Sequence, residues 1–223
     1  MPAIGVYGGS FNPVHAAHVR LAVEMRERLG LDRVDLVPSS LPPHKPDTGL
    51  LPFALRLELL QLAVAGVEGL AVNDLEARRS GPSFTWDTLE AYRAAEPDAA
   101  LTFILGANDL LTLPQWRRGL DLVELASLAV APRGGVEEAA VEAFVAAQWG
   151  ERATPAASPA HATRAWNFAS GTRLLYVPAP CLDVSASQVR GLWRAGRSLA
   201  CLLPPGVETA LRSQRAVVDA AWP

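Results

Sequence analysis

Two histidines three residues apart, His15 and His18, follow a glycine pair, Gly8-Gly9, within the first twenty residues. An imidazole that donates or carries charge near neutral pH can hold an anion or polarise a phosphoryl oxygen. The residues between, Ser10-Phe11-Asn12-Pro13-Val14, would form the turn from a strand into a helix. Glycines let backbone approach a phosphate closely, and the unpaired N–H groups and dipole of a helix start attract one. Each part also has an ordinary reading. Gly-Gly is most often a tight turn, and a His pair at this spacing also occurs on surfaces or as half of a metal site. A metal site calls for a third His, Cys or carboxylate at a recognisable spacing. His15 and His18, three apart on a helix, would share one face, and Glu24, six residues past His18, falls off it. The ordered combination therefore points to bound phosphate.

A second group stands near the other end. Ser185 and Ser187 precede an apolar-periodic run, and Arg190 follows one turn later. Serines there are helix caps by default. Serine hydroxyls, a helix N-terminus and a guanidinium fork also suit the outer phosphates of a nucleotide. Between the two groups, Lys45 sits in a stiff Pro42-Pro43-His44-Lys45-Pro46 arm, which reads as a solvated connection or as a carrier of a cation toward the phosphates. Ser83 or Thr85 would cap a helix over Trp86–Ala95, and Trp116 taken alone is more often core than ligand platform.

These residues require a frame. Ala3–Tyr7 reads as a buried strand, His15–Leu29 as a helix stopped by Gly30, and Arg33–Pro38 as a second strand. Such a βαβ unit predicts parallel strands joined by a right-handed crossover. A helix over Pro52–Ala65 follows, then strands at Leu70–Asn73, Ala100–Leu105, Leu125–Ala131 and Arg173–Val177. Helical spacing covers Val136–Trp149, Ser185–Ala195, Leu199–Leu203 and Pro205–Arg215. The predicted fold is a Rossmann-like doubly wound α/β sheet, with helices on both faces and a small helical C-terminal end. No linker or repeat divides residues 1–223, so one domain is expected, with 136–172 a variable insertion and 185–223 a helical subregion. Glu151–Ser170, rich in Ala, Pro, Thr and Ser, is the least legible part.

Half of the 223 residues are hydrophobic and 19% are charged, as in ordinary globular proteins. A net charge of −3 argues against a general nucleic-acid binder. Cys181 and Cys201 form no CxxC or zinc pattern, which favours reduced thiols in the cytoplasm. No apolar run approaches the ~18 residues of a membrane span.

The string Gly8-Gly9-Ser10-Phe11-Asn12-Pro13-Val14-His15-Ala16-Ala17-His18 resembles the nucleotidyltransferase superfamily signature Gly-Gly-(Ser/Thr)-Phe-(Asp/Asn)-Pro-x-His-x-Gly-His, with Ala17 in the usual glycine position. Val184-Ser185-Ala186-Ser187-Gln188-Val189-Arg190 resembles its second signature, Ile-Ser-Ser-Thr-x-Ile-Arg, with Ala186 lacking one hydroxyl. The Pro42–Lys45, Arg79–Thr85, Phe103–Gly106, Leu113–Trp116 and Arg133–Gly135 segments narrow the resemblance to bacterial nicotinate mononucleotide adenylyltransferases, over roughly residues 3–135 and 173–205. Asn108 occupies a position where that family usually carries Asp, and Asp109 follows it.

The resemblance implies transfer of AMP from ATP to nicotinate mononucleotide, yielding nicotinate adenine dinucleotide and pyrophosphate in NAD biosynthesis. It assigns catalysis to His18, His15 and Arg190. ATP would be held by Gly8, Gly9, Ser10, Phe11, His15, His18, Ser185, Ser187 and Arg190, and nicotinate mononucleotide by Asn12, Lys45, Thr85, Trp116 and Arg133. Mg²⁺ would ride on the ATP phosphates without a protein cage. A cytoplasmic enzyme with no nucleic-acid or membrane partner follows, and a homo-oligomer stays open. Two alternatives compete: a related transferase acting on nicotinamide mononucleotide or phosphopantetheine, and a catalytically silent nucleotide-binding regulatory module. The Ser83-Phe84-Thr85 and Trp116 segments disfavour acceptors such as phosphopantetheine. His15, His18 and Arg190, for which a silent module has no chemical need, disfavour the second.

Overall fold

A computed structural model describes residues 1–42, 49–180 and 182–223. Lys45 and Cys181 lie outside the described residues. The described strands are β1 (Ala3–Gly9), β2 (Arg33–Pro38), β3 (Leu70–Val72), β4 (Ala100–Gly106), β5 (Ser127–Ala131), β6 (Thr154–Pro155), β7 (Arg164–Asn167) and β8 (Arg173–Tyr176). They form one sheet in the order β3-β2-β1-β4-β5-β8-β7-β6. Every pairing from β3 to β8 is parallel, while β7 runs antiparallel to both β8 and β6.

The strand sequences dictate this double-sided packing. Successive side chains on a strand alternate faces, and a parallel sheet buries both. Leu101, Phe103 and Leu105 of β4 enter one apolar cluster with Leu128 and Val130 of β5. Ile104, Ala129 and Ala131 enter the other. The first face is covered by α3 (Thr85–Ala95) and α5 (Glu138–Trp149), through Leu89, Tyr92, Val141 and Val145. The second is covered by α1 (Ala16–Leu29), α2 (Phe53–Val64), α7 (Val207–Ser213) and α8 (Arg215–Ala221), through Met25, Leu59, Leu211 and Val218. Two further helices, α4 (Ala107–Leu110) and α6 (Ala186–Arg194), lie at the site described below.

The expected doubly wound α/β sheet is thus the observed one, with local corrections. Residues 151–170 enter the sheet as β6 and β7. The buried pair Ala165 and Trp166 between exposed Arg164 and Asn167 is too short a pattern to stand out from its Ala- and Pro-rich surroundings. Residues 199–203 form turns instead of a helix, because Cys201 takes a left-handed φ of 65° and Pro204-Pro205 cannot extend one. Leu125 and Ala126 precede β5 rather than belonging to it. No helix of the described residues is long and apolar enough to cross a membrane.

Candidate active site

In this strand order β1 lies between β2 and β4. The chain leaves β1 toward one edge and β4 toward the other, and the two diverging crossovers open a crevice at their carboxyl ends. A cavity of about 550 Å³ occupies that crevice. Its floor is the turn after β1. Gly9 packs close there, since a Cβ would press on the Phe11 ring at 3.2 Å. Phe11 itself takes a left-handed φ of 43°, and the Asn12–Pro13 peptide is cis.

A residue from α2 holds this turn in place. Arg56 is fully buried and donates to the carbonyls of Ser10 at 2.9 Å, Ser39 at 2.8 Å and Leu51 at 3.0 Å. It joins the turn after β1, the segment after β2 and the start of α2. Burial pulls its pKa down to about 10, partly opposed by the Glu76 carboxylate. The sequence reading passed over Arg56 within an apolar helix. Its signal was present, because Arg56, Leu59, Leu60 and Ala63 share one helical stripe and all four are buried.

The His pair differs from two side chains on one helix face. His15 is the N-cap, in extended backbone at φ −141°, and α1 begins at Ala16. The His15 N–H donates to His18 Nδ1 at 3.2 Å, closing the helix start on itself. The two rings stack with centroids 3.7 Å apart, and the His18 ring meets the Phe11 edge at 5.0 Å. With Nδ1 accepting, the neutral His18 ring carries its proton on Nε2. His15 is completely buried, and neither of its ring nitrogens has a partner among the described residues. Burial, then the Arg133 guanidinium, lowers its pKa to about 4. A buried, neutral, unsatisfied imidazole lining a cavity is a group waiting for a ligand. The Ala16 N–H at the α1 start is already taken by the Leu202 carbonyl at 2.8 Å, so α1 offers fewer free amides to an anion than the sequence suggested.

The facing wall comes from the ends of β4 and β5. A Cβ on Gly106 would come within 2.7 Å of Asn108 Oδ1 and 2.9 Å of Arg133 Cδ, so this glycine lets both side chains close over the strand end. Asn108, Asp109 and Arg133 all line the cavity. Tyr7 lines it too, unforeseen from the sequence, and its hydroxyl is buried. Burial pushes the Tyr7 pKa up to about 12, with Arg133 opposing the rise and Asp109 adding to it.

The third wall is the N-terminus of α3 with the segment around Trp116. Phe84 is the N-cap and gives no side-chain cap. Ser83, expected as a cap, instead accepts from the Ser40 and Leu41 N–H groups at 2.9 and 3.1 Å, tying α3 to the segment after β2. Thr85 opens the helix and does not cap it. Trp116 lies edge-on to Phe103 at 6.5 Å, and its Nε1–H donates to Thr112 Oγ1 at 3.1 Å. Buried Glu76 also lines the cavity. Its Oε1 accepts from Thr88 at 2.6 Å, and its Oε2 is buried with no partner among the described residues.

The second serine group reaches the first through Arg190. Ser185 caps α6, accepting from Gln188 N–H at 3.1 Å. Arg190 donates to Ser187 Oγ at 3.0 Å and to the Asn12 carbonyl at 2.8 Å, across 178 residues of chain. Of this group only Ala186 borders the cavity; Ser185, Ser187 and Arg190 stand just outside it. The Asn12 carboxamide is engaged at both ends, donating to Gly49 O at 2.6 Å and accepting from Leu51 N–H at 3.0 Å. Asn12 therefore braces the site wall.

A glycine turn, a stacked His pair and a crevice at a sheet switch point suit phosphate chemistry, and comparison with known proteins specifies the kind. The cytidylyltransferase-like family model matches residues 6–191. The chain is 39% identical to a Pelobacter propionicus protein named "Probable nicotinate-nucleotide adenylyltransferase", covering 95% of this chain and 96% of that one. A Citrifermentans bemidjiense protein of the same name is also 39% identical, over 97% and 99%. In fold, the chain is similar to Plasmodium falciparum nicotinic acid mononucleotide adenylyltransferase complexed with NaAD, with a TM-score of 0.73, 16% identity and coverage of 97% and 98%. The glycine turn, the His pair and near-full-length likeness together place this chain in the nicotinate-nucleotide adenylyltransferase family of cytidylyltransferase-like enzymes.

Proposed function

We propose that the chain transfers the adenylyl group of ATP to nicotinate mononucleotide, forming nicotinate adenine dinucleotide and pyrophosphate, a step in making NAD. The observation that carries this reading is the buried His15 ring, unsatisfied and stacked on His18 at the head of the crevice. A reaction that consumes ATP puts the chain, on this reading, in the cytoplasm.

A phosphate oxygen of the mononucleotide attacks the α-phosphorus of ATP, and the bond to the β-phosphate bridging oxygen breaks. Pyrophosphate leaves with that electron pair. A phosphate monoester is largely dianionic near neutral pH, with a second pKa of about 6, so no general base is needed. The protein must bring polyanions into line and offset charge at the α-phosphate and leaving group.

His18 suits the α-phosphate, because the His15 N–H on its Nδ1 fixes the ring at the cavity with Nε2 as the protonated nitrogen. His15 would donate to the phosphates from one ring nitrogen, which relieves its buried, unsatisfied state. Gly8 to Phe11 offer close backbone approach. Arg190, with Ser187 and capped Ser185 beside it, would meet the outer phosphates by exchanging its Asn12 carbonyl contact for a phosphate oxygen. Thr85, Trp116 and Arg133 line the cavity and would meet the acceptor. Lys45 completes the proposed set by its place in the sequence. Among the described residues no three His, Cys, Asp or Glu side chains gather as a metal cage. Mg²⁺ would be held mainly by phosphate and water, with the Asp109 and Glu76 carboxylates lining the same cavity; bound there, the ion would neutralise phosphate charge.

The test is pyrophosphate release with Mg-ATP and, in separate assays, nicotinate mononucleotide, nicotinamide mononucleotide and phosphopantetheine. Turnover should be fastest with the first. No turnover with it, or equal rates with the amide, would overturn the reading.

A further inference from the structure

The acceptor wall carries an ion pair that neither signature includes. Arg117 lines the cavity directly after Trp116, and its guanidinium lies over the Phe84 ring, 5.0 Å from the centroid. Its Nη1 donates to Asp87 Oδ2 at 2.9 Å. Phe84 is the α3 N-cap and Asp87 stands in its first turn. Arg117 therefore straps the Trp116 segment to the start of α3, across the slot between Trp116 and Thr85.

The charges in this wall bear on which acceptor is welcome. The first ladder bond of α3 runs from Thr88 N–H to the Phe84 carbonyl, so the N–H groups of Thr85, Trp86 and Asp87 precede the ladder, with no side-chain cap. Such a helix start favours an anion. Asp87 works against it, placing a carboxylate one turn from where a substrate carboxylate would sit. Arg117 is the cation paired with that carboxylate. Glu76, buried and lining the same cavity with its Oε2 unpartnered among the described residues, marks it independently as a ligand site.

We infer that Arg117 is a specificity-determining residue, which neutralises Asp87 and so lets the α3 start accept the acid form of the pyridine nucleotide in preference to the neutral amide. The inference rests on the function proposed above. The acid and amide acceptors differ in that charge and in the amide's N–H donors, so an uncompensated Asp87 penalises the first and spares the second. The pair is partly open to solvent, with side chains 52% and 28% exposed. It therefore adds little to stability, and its influence on a bound charge is screened by salt.

The experiment compares kcat/KM for nicotinate and nicotinamide mononucleotides in the parent, R117Q, D87N and R117Q/D87N. Arg117→Gln should lower the acid-to-amide ratio about tenfold, the scale of one unit charge several ångströms away at partial exposure. Asp87→Asn should raise the ratio, and the double variant should return it to near the parent value. The R117Q effect should shrink as ionic strength rises, and the KM for ATP should stay within about twofold, neither of which a lost strut alone would produce. An unchanged ratio in R117Q, or a loss that D87N fails to restore, overturns the inference while the parent's turnover upholds the proposed function. A parent that turns over neither acceptor overturns the proposed function, and the inference with it.

Discussion

At the residue scale, the two histidines of one motif do different work. His18 is oriented by a backbone N–H on Nδ1 and by the Phe11 edge. Replacing it with Ala should lower turnover by about 10²–10³-fold, the cost of losing one preorganised donor, while circular dichroism shows a folded protein. A near-normal rate would remove it from the chemistry. His15 is buried with a pKa lowered to about 4 against an ordinary 6.5. Between those values the unfolded chain binds more protons than the folded one, so stability rises with pH across that window. The contribution is complete above about 6.5 and is lost as pH falls toward about 4. Thermal melts at stepped pH should show this acid limb, and His15→Gln should flatten it. An unaltered limb would show that another group titrates there.

At the scale of elements, the site is held by side chains that bond the backbone of neighbouring segments. Arg56 on α2 satisfies three backbone carbonyls from three segments around the turn after β1. Arg56→Leu would strand those carbonyls out of water, at about 1–3 kcal/mol per unsatisfied group. Urea unfolding should register a loss of several kcal/mol, and a loss under about 1 kcal/mol would mean the loops are held otherwise. Ser83 and Asn12 have the same character, since each bonds backbone of a neighbouring segment. Their residue types were visible as a cap and a ligand because Ser and Asn commonly serve as both. Which backbone they would meet, 43 and 37 residues away, depends on the packed sheet.

At the scale of the molecule, the segment after α8 bonds the loop that holds Asn12. Trp222 is buried, and its Nε1–H donates to Gly49 O at 3.1 Å, the carbonyl that also accepts from Asn12. Arg190 donates to the Asn12 backbone from the other side. Trp222→Ala should cost about 3–5 kcal/mol by denaturant unfolding, and a cost near zero would show the C-terminal helices to be dispensable. We propose that 1–223 acts as one domain on this ground, since residues 136–172 supply strands of the same sheet and Arg190 of α6 bonds the Asn12 backbone of the first motif. The sequence by itself determined the parallel sheet, the glycine turn and the family, because strand alternation, helix stops and contiguous motifs are local patterns that survive any packing. Only the tertiary structure decided that His15 is a buried cap, that Arg190 rests on Asn12, that Arg56 braces three segments, and that Arg117 pairs with Asp87. Each of those depends on what a long side chain meets across the fold, and that partner is set by the juxtaposition of elements far apart in the chain.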